Sequence, residues 1–89
     1  MATVILNHNV EDYKKWRPVF DSDSRRRKEA GMMNERVFRS ADDPNNIYII
    51  AEVADISSTA RMMNDPDLAA KMKEGGVISK PTVTVLNLA

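Results

Sequence analysis

Four stretches of the chain are apolar at strand spacing, and the stretches between them place apolar residues at helical spacing. Thr3 to His8 (TVILNH) is rich in β-branched residues and reads as a strand. Side chains alternate along a strand, so Val4, Leu6 and His8 share one face and Thr3, Ile5 and Asn7 the other. Tyr13, Trp16 and Phe20 then fall at i, i+3 and i+7, one face of a helix that Asn9 can cap, with Glu11 and Asp12 in its first turn. Pro18 interrupts this pattern and predicts a kink or a division near Trp16 and Arg17. The second half offers Asp21–Arg25 and Asp23–Arg27 pairs at i, i+4, and Gly31 is the expected stop.

A partly polar strand follows over Asn34 to Ser40, then a turn cluster from Asp42 to Asn46, then the most apolar strand, Ile47 to Ala54. Two strands joined by a short polar turn make an antiparallel hairpin. Asp55 caps a second helical region with Ile56, Ala60 and Met63 at i, i+4 and i+7. Asp65 and Pro66 break it, Leu68, Ala69 and Met72 continue it, and Gly75 and Gly76 end it. Pro81 to Leu88 reads as the last strand. The order is β-α-β-β-α-β. Right-handed crossovers fold this order into an α+β, ferredoxin-like four-stranded antiparallel sheet with the helices on one face, a single domain over residues 1–89.

Two helices cover only one face of such a sheet, and the other should turn polar. It does not do so cleanly. Ile47, Ile49, Ala51 and Val53 lie on one side of the third strand, but Tyr48, Ile50 and Ala54 share the other with Glu52. The last strand likewise carries Val83 and Val85 on one side and Leu86 and Leu88 on the other. At roughly 25 cal/mol per Å² of apolar surface, leaving several such side chains wet costs several kcal/mol. A second copy packed sheet to sheet removes that cost, and a homodimer is expected.

Composition narrows the function classes. Lys plus Arg number 13 and Asp plus Glu 13, so there is no basic excess to displace counterions, and nucleic acid is not the expected partner. Cysteine is absent, which excludes disulfides, thiolate metal sites and cysteine nucleophiles. The apolar run Val4, Ile5, Leu6 is too short for a signal-peptide core or a membrane span, so a cytoplasmic protein is expected.

The runs HNVEDYKKWRPVF (His8 to Phe20), RVFRSADDPN (Arg36 to Asn45) and GGVISKP (Gly75 to Pro81) resemble a group of small bacterial proteins of the dimeric α/β-barrel superfamily. These are similar to the antibiotic biosynthesis monooxygenase-like domains, and some relatives are labelled cyclases. The resemblance implies two ferredoxin-like protomers packed into a barrel, with a pocket in each between sheet and helices. It also implies oxygenation of aromatic polyketides without metal or flavin, or quinol oxygenation, haem degradation or lactone isomerisation. The haem-degrading branch uses Asn, Trp and His. Here Asn7 and His8 adjoin on the first strand and Trp16 sits on the first helix, so haem chemistry is not carried over.

His8 is the sole histidine, at the end of the first strand. It can serve as a base toward a phenol or enol carbon acid, or simply bond the helix start. Tyr13, Trp16 and Phe20 make a stripe that serves as core, as a pocket wall for a flat ligand, or as both, and Phe38 on the second strand is a further candidate contact. Arg36 and Arg39 have opposite parity, so one faces inward and can hold a carboxylate or enolate, or pair with Glu52 at an interface. Arg25 to Lys28, with Asp21, Asp23 and Glu29 nearby, reads as a solvated helix end. Asp42 and Asp43 give weak calcium geometry, and the six methionines are pliable packing. The expectation is a cofactor-independent monooxygenase acting on an aromatic or polycyclic enol. A cyclase or isomerase, or a non-catalytic dimeric binding or accessory module, is the alternative.

Overall fold

Alternation along the first strand is realised in full. In β1 (Ala2–Asn9), Ala2, Val4, Leu6 and His8 are buried, and the residues between them are half-exposed. The computed structural model describes residues 1–89. After β1 come α1 (Tyr13–Ser22), α2 (Ser24–Glu29), β2 (Met32–Arg39), β3 (Asn46–Val53), α3 (Ile56–Met63), α4 (Pro66–Glu74) and β4 (Thr82–Leu86). The sheet is antiparallel in the order β2-β3-β1-β4, the ferredoxin-like arrangement, with each crossover made of two helices. Val4 and Leu6 of β1, with Ile47, Ile49, Ala51 and Val53 of β3, join Trp16, Ala30 and Met62 in one core.

The first helix begins later than its sequence suggests. Asp12, not Asn9, is its cap and accepts from the Lys14 N–H. The chain stays extended until then because Val10 bridges Val77 and the Glu11 N–H donates to the Gly76 carbonyl. The Asn9 side chain is occupied across the sheet, accepting from Asn46 Nδ2 at 2.7 Å. The helix also divides later, at Asp23, and Pro18 lies inside α1. Pro18 and Lys14 are both exposed, so the Lys14 carbonyl that the proline leaves unpaired meets water instead of ending the helix.

Both crossovers therefore break at an aspartate, Asp23 and Asp65, and Arg26 ties the breaks together. Its Nε donates to Asp23 and its Nη1 to Asp65 at 2.7 Å, while Asp65 also caps α4 through the Asp67 N–H. The expected pairs Asp21–Arg25 and Asp23–Arg27 do not form, since Asp21 takes Arg17 and Asp23 takes Arg26. Gly31 and Gly76 have φ of +83° and +79°, the left-handed conformation that ends α2 and α4.

Strand β2 carries a bulge. Met33 pairs with Glu52 and Arg36 with Ile50, so Asn34 and Glu35 together face the single residue Ala51. Asn34 takes φ +54°, a conformation asparagine tolerates better than most residues. Its side chain donates to Glu52 at 2.9 Å, so Asn34, not an arginine of β2, is the partner of Glu52.

The helices leave one sheet face uncovered. It carries Ile5, Ile50, Tyr48, Phe38, Met33 and Leu86 among polar residues, with Phe38 43% and Leu86 45% exposed. On the covered face, β4 is an edge strand that the helices do not reach fully. Val83 and Val85 pair with Leu6 and Val4 yet remain well exposed. In α3 the buried residues are Thr59 and Met62, while Ile56, Ala60 and Met63 line an apolar groove of about 260 Å³ beside β4.

Candidate functional site

The covered face brings His8 under the first helix. His8 ends the buried row of β1 and is 6% exposed. The helical spacing of Tyr13, Trp16 and Phe20 lays their rings in a row above it. The Trp16 ring meets His8 edge-on with centroids 5.6 Å apart, stacks on Phe20 at 4.7 Å and lies 6.0 Å from Tyr13. A Cβ on Gly75 would lie 3.2 Å from Trp16 Cδ1, so the glycine that ends α4 lets the indole seat closely. A cavity of about 50 Å³ lies beside His8, lined also by Leu6, Phe20, Arg27, Met62 and Met72.

Arg27 was missed by sequence reasoning. The cluster Arg25 to Lys28 is not wholly a solvated helix end, because Arg27 is 6% exposed. Its guanidinium lies over the Phe20 ring, 3.5 Å from the centroid, and donates to the Phe20 carbonyl and to Glu35. The signal was present: Trp16, Phe20 and Arg27 stand at i, i+4 and i+11, one face over three helical turns.

The remaining arginines separate. Arg39 lies on the covered face in register with Ile47 and, across it, His8. Its guanidinium sits 4.1 Å from the Tyr13 ring centroid, and its Nε donates to the Pro44 carbonyl. Arg36 and Phe38 lie on the uncovered face, Arg36 5.4 Å from the Phe38 ring. Within one protomer the site thus assembles His8, Tyr13, Trp16 and Phe20 with Arg27, flanked by Arg39, and leaves Arg36 and Phe38 on the far side of the sheet.

His8 Nδ1 is buried without a hydrogen-bond partner. Burial in this apolar setting pushes the imidazole pKa below its ordinary 6.5. The ring is therefore neutral at neutral pH, with a lone pair free to accept a proton. Below pH 6.5 the unfolded chain takes up a proton that the folded chain resists, so stability should fall as pH drops from 6.5 toward the folded value. The slope is at most about 1.4 kcal/mol per pH unit for one proton. Thermal unfolding between pH 5 and 8 reads it, and His8→Gln should remove this component. No group of three or more His, Asp and Glu residues is placed to hold a metal ion, and no helix is long and apolar enough to cross a membrane.

No protein-family model matches the chain, and no curated protein matches its sequence. Solved structures do match. An antibiotic biosynthesis monooxygenase from Bordetella bronchiseptica, so described provisionally, superposes with a TM-score of 0.78 at 12% identity, covering 99% of this chain and 96% of that one. A similar protein from Caulobacter crescentus gives 0.74 at 14% identity, covering 99% and 89%. SnoaB, a cofactor-independent oxygenase from Streptomyces nogalater, gives 0.71 at 15% identity, covering 99% and 94%. Across its whole length, this chain has the ferredoxin-like fold of the antibiotic biosynthesis monooxygenase-like proteins.

Proposed function

We propose that this protein is a cofactor-independent monooxygenase of an aromatic or polycyclic enol or phenol. The observation that carries the reading is His8: a buried, neutral imidazole with an unpartnered Nδ1, packed against Trp16 and beside a cavity lined by Phe20, Arg27 and apolar side chains. His8 removes a proton from the acidic carbon of the substrate. The resulting carbanion, stabilised as an enolate, supplies electrons to dioxygen. For a methylene between two aromatic rings the balance is CH₂ plus O₂ giving C=O plus H₂O, so one oxygen atom enters the substrate and the other leaves as water. Arg27, with N–H donors beyond those given to Phe20 and Glu35, offsets the enolate charge, and Tyr13, Trp16 and Phe20 hold the flat rings. Arg39 stands at the Tyr13 end of the stripe. Arg36 and Phe38 belong in this scheme to the contact between two copies, packed through the uncovered sheet faces into an α/β barrel.

The test is oxygen uptake with anthrone. The protein should accelerate it, and His8→Ala should lower the rate by about 100-fold, within the range for loss of a general base. An unchanged rate in His8→Ala would remove His8 from the mechanism. Conversion of an enol substrate without oxygen uptake would assign a cyclase or isomerase using the same residues. A second reading, a non-catalytic binding or accessory module, is favoured by the size of the cavity beside His8: about 50 Å³, against roughly 300 Å³ or more for an ordinary ligand pocket. Binding of an aromatic ligand without any turnover would select it.

A further inference from the structure

Two buried side-chain atoms in the molecule lack any hydrogen-bond partner, His8 Nδ1 and Thr59 Oγ1. Buried polar groups are paired in the great majority of cases, so each orphan calls for an explanation. Thr59 is 3% exposed and lies inside α3, where a threonine hydroxyl ordinarily bonds the carbonyl one turn back. Here it does not. Thr59 lines the groove of about 260 Å³ between α3 and β4, whose other walls include Val4, Ile56, Val83 and Val85. His8 lines the inner cavity of about 50 Å³. The two spaces share one lining residue, Met63, an unbranched side chain with three rotatable bonds.

We propose that groove and cavity are two ends of one ligand site, joined when Met63 changes rotamer, and that Thr59 is the polar recognition group of its outer end. Joined, the two spaces reach the roughly 300 Å³ at which ligand pockets begin. The walls are mainly apolar along both, with His8 and Arg27 in the inner cavity and Thr59 and Asn64 in the groove. The ligand class that fits is a flat, elongated, mainly apolar molecule with oxygen atoms at two separated positions, one meeting the Thr59 hydroxyl and the other His8. This deepens the reading above and rests on it for the aromatic nature of the ligand. Met63 and Thr59 are positioning and specificity residues and take no part in proton transfer.

The probe is 1,8-dihydroxyanthraquinone, flat, oxygenated and already oxidised, so that binding is measured apart from turnover. Affinity is read by titration calorimetry. The inner end is read by the ring carbon–proton signals of His8, unambiguous because the chain has one histidine. The wild-type protein should bind the probe and shift the His8 signals. Thr59→Val, equal in shape but without the hydroxyl, should weaken binding by about 5- to 10-fold, and Thr59→Ser should restore it. Met63→Trp should weaken binding by more than about 10-fold and leave the His8 signals unmoved. Thr59→Val guards against misfolding of the tryptophan variant. The inference is overturned if the wild type does not bind the probe, if binding leaves His8 unshifted, or if Thr59→Val and Met63→Trp bind as tightly as wild type. His8-dependent oxygen uptake alongside wild-type affinities in both variants would sink this inference alone. Variant-sensitive binding without oxygen uptake would sink the oxygenase reading alone.

Discussion

Trp16→Ala is expected to cost about 3–5 kcal/mol of stability, the range for removing a fully packed large aromatic side chain. The indole is 3% exposed and forms the centre of the aromatic row, in contact range of His8, Tyr13 and Phe20. It also packs against Gly75, which lets α4 approach α1 closely. Truncation would leave a void that no neighbour can fill without moving a helix. In a domain of this size each kcal/mol corresponds to roughly 4–8 °C in the melting temperature, so a fall of at least about 12 °C should be seen by calorimetry. Trp16→Phe should recover most of the loss. A decrease below about 1 kcal/mol for the alanine variant would mean that the ring is not the keystone of this layer.

Ile50→Lys is expected to weaken self-association by at least about 1000-fold. Ile50 sits midway along β3 on the uncovered face, in register with Ile5 on one side and Arg36 on the other. In a two-fold assembly each substitution occurs twice, and two ammonium groups would be forced among apolar side chains with arginines nearby. A lone protomer would suffer little, because the new side chain can reach water from an open face. Sedimentation at micromolar concentration should give twice the 10.0 kDa chain mass for the wild type and a single chain for the variant. A wild-type protein that sediments as one chain would remove the barrel.

Much of the fold was legible in the sequence, and the reasons are local. The alternation in β1 and β3, the stop at Gly31, the cap at Asp55 and the break at Asp65 each follow from the chemistry of a few neighbouring residues. The position of the first helix start was not legible, because Asn9 is taken up by Asn46, a residue distant in sequence. The helix division was misplaced because α1 tolerates its proline: Pro18 and Lys14, the residue one turn before it, are both exposed, where water can take up the bond the proline cannot make. In the candidate site, His8 and the aromatic row came directly from periodicity. Arg27 was obscured by the charges around it, although it shares their helical face. Thr59 gave no sequence signal, since an unpartnered hydroxyl is visible only once its surroundings are known.

The parity of the arginines depended on a single extra residue. Because Asn34 and Glu35 both stand opposite Ala51, every side chain of β2 from Arg36 onward is turned over relative to an unbroken ladder. Glu35 thereby reaches Arg27, Arg39 comes to lie over Tyr13, and Arg36 with Phe38 is sent to the outer surface. An unbroken ladder continued from the Met33–Glu52 pair would instead draw Arg36 and Phe38 beneath the helices and expel Val37 and Arg39. Two residues in the space of one thus act as a selector of which cation serves the interior, so a single choice of register specifies a whole pocket lining while the amino acids themselves stay the same.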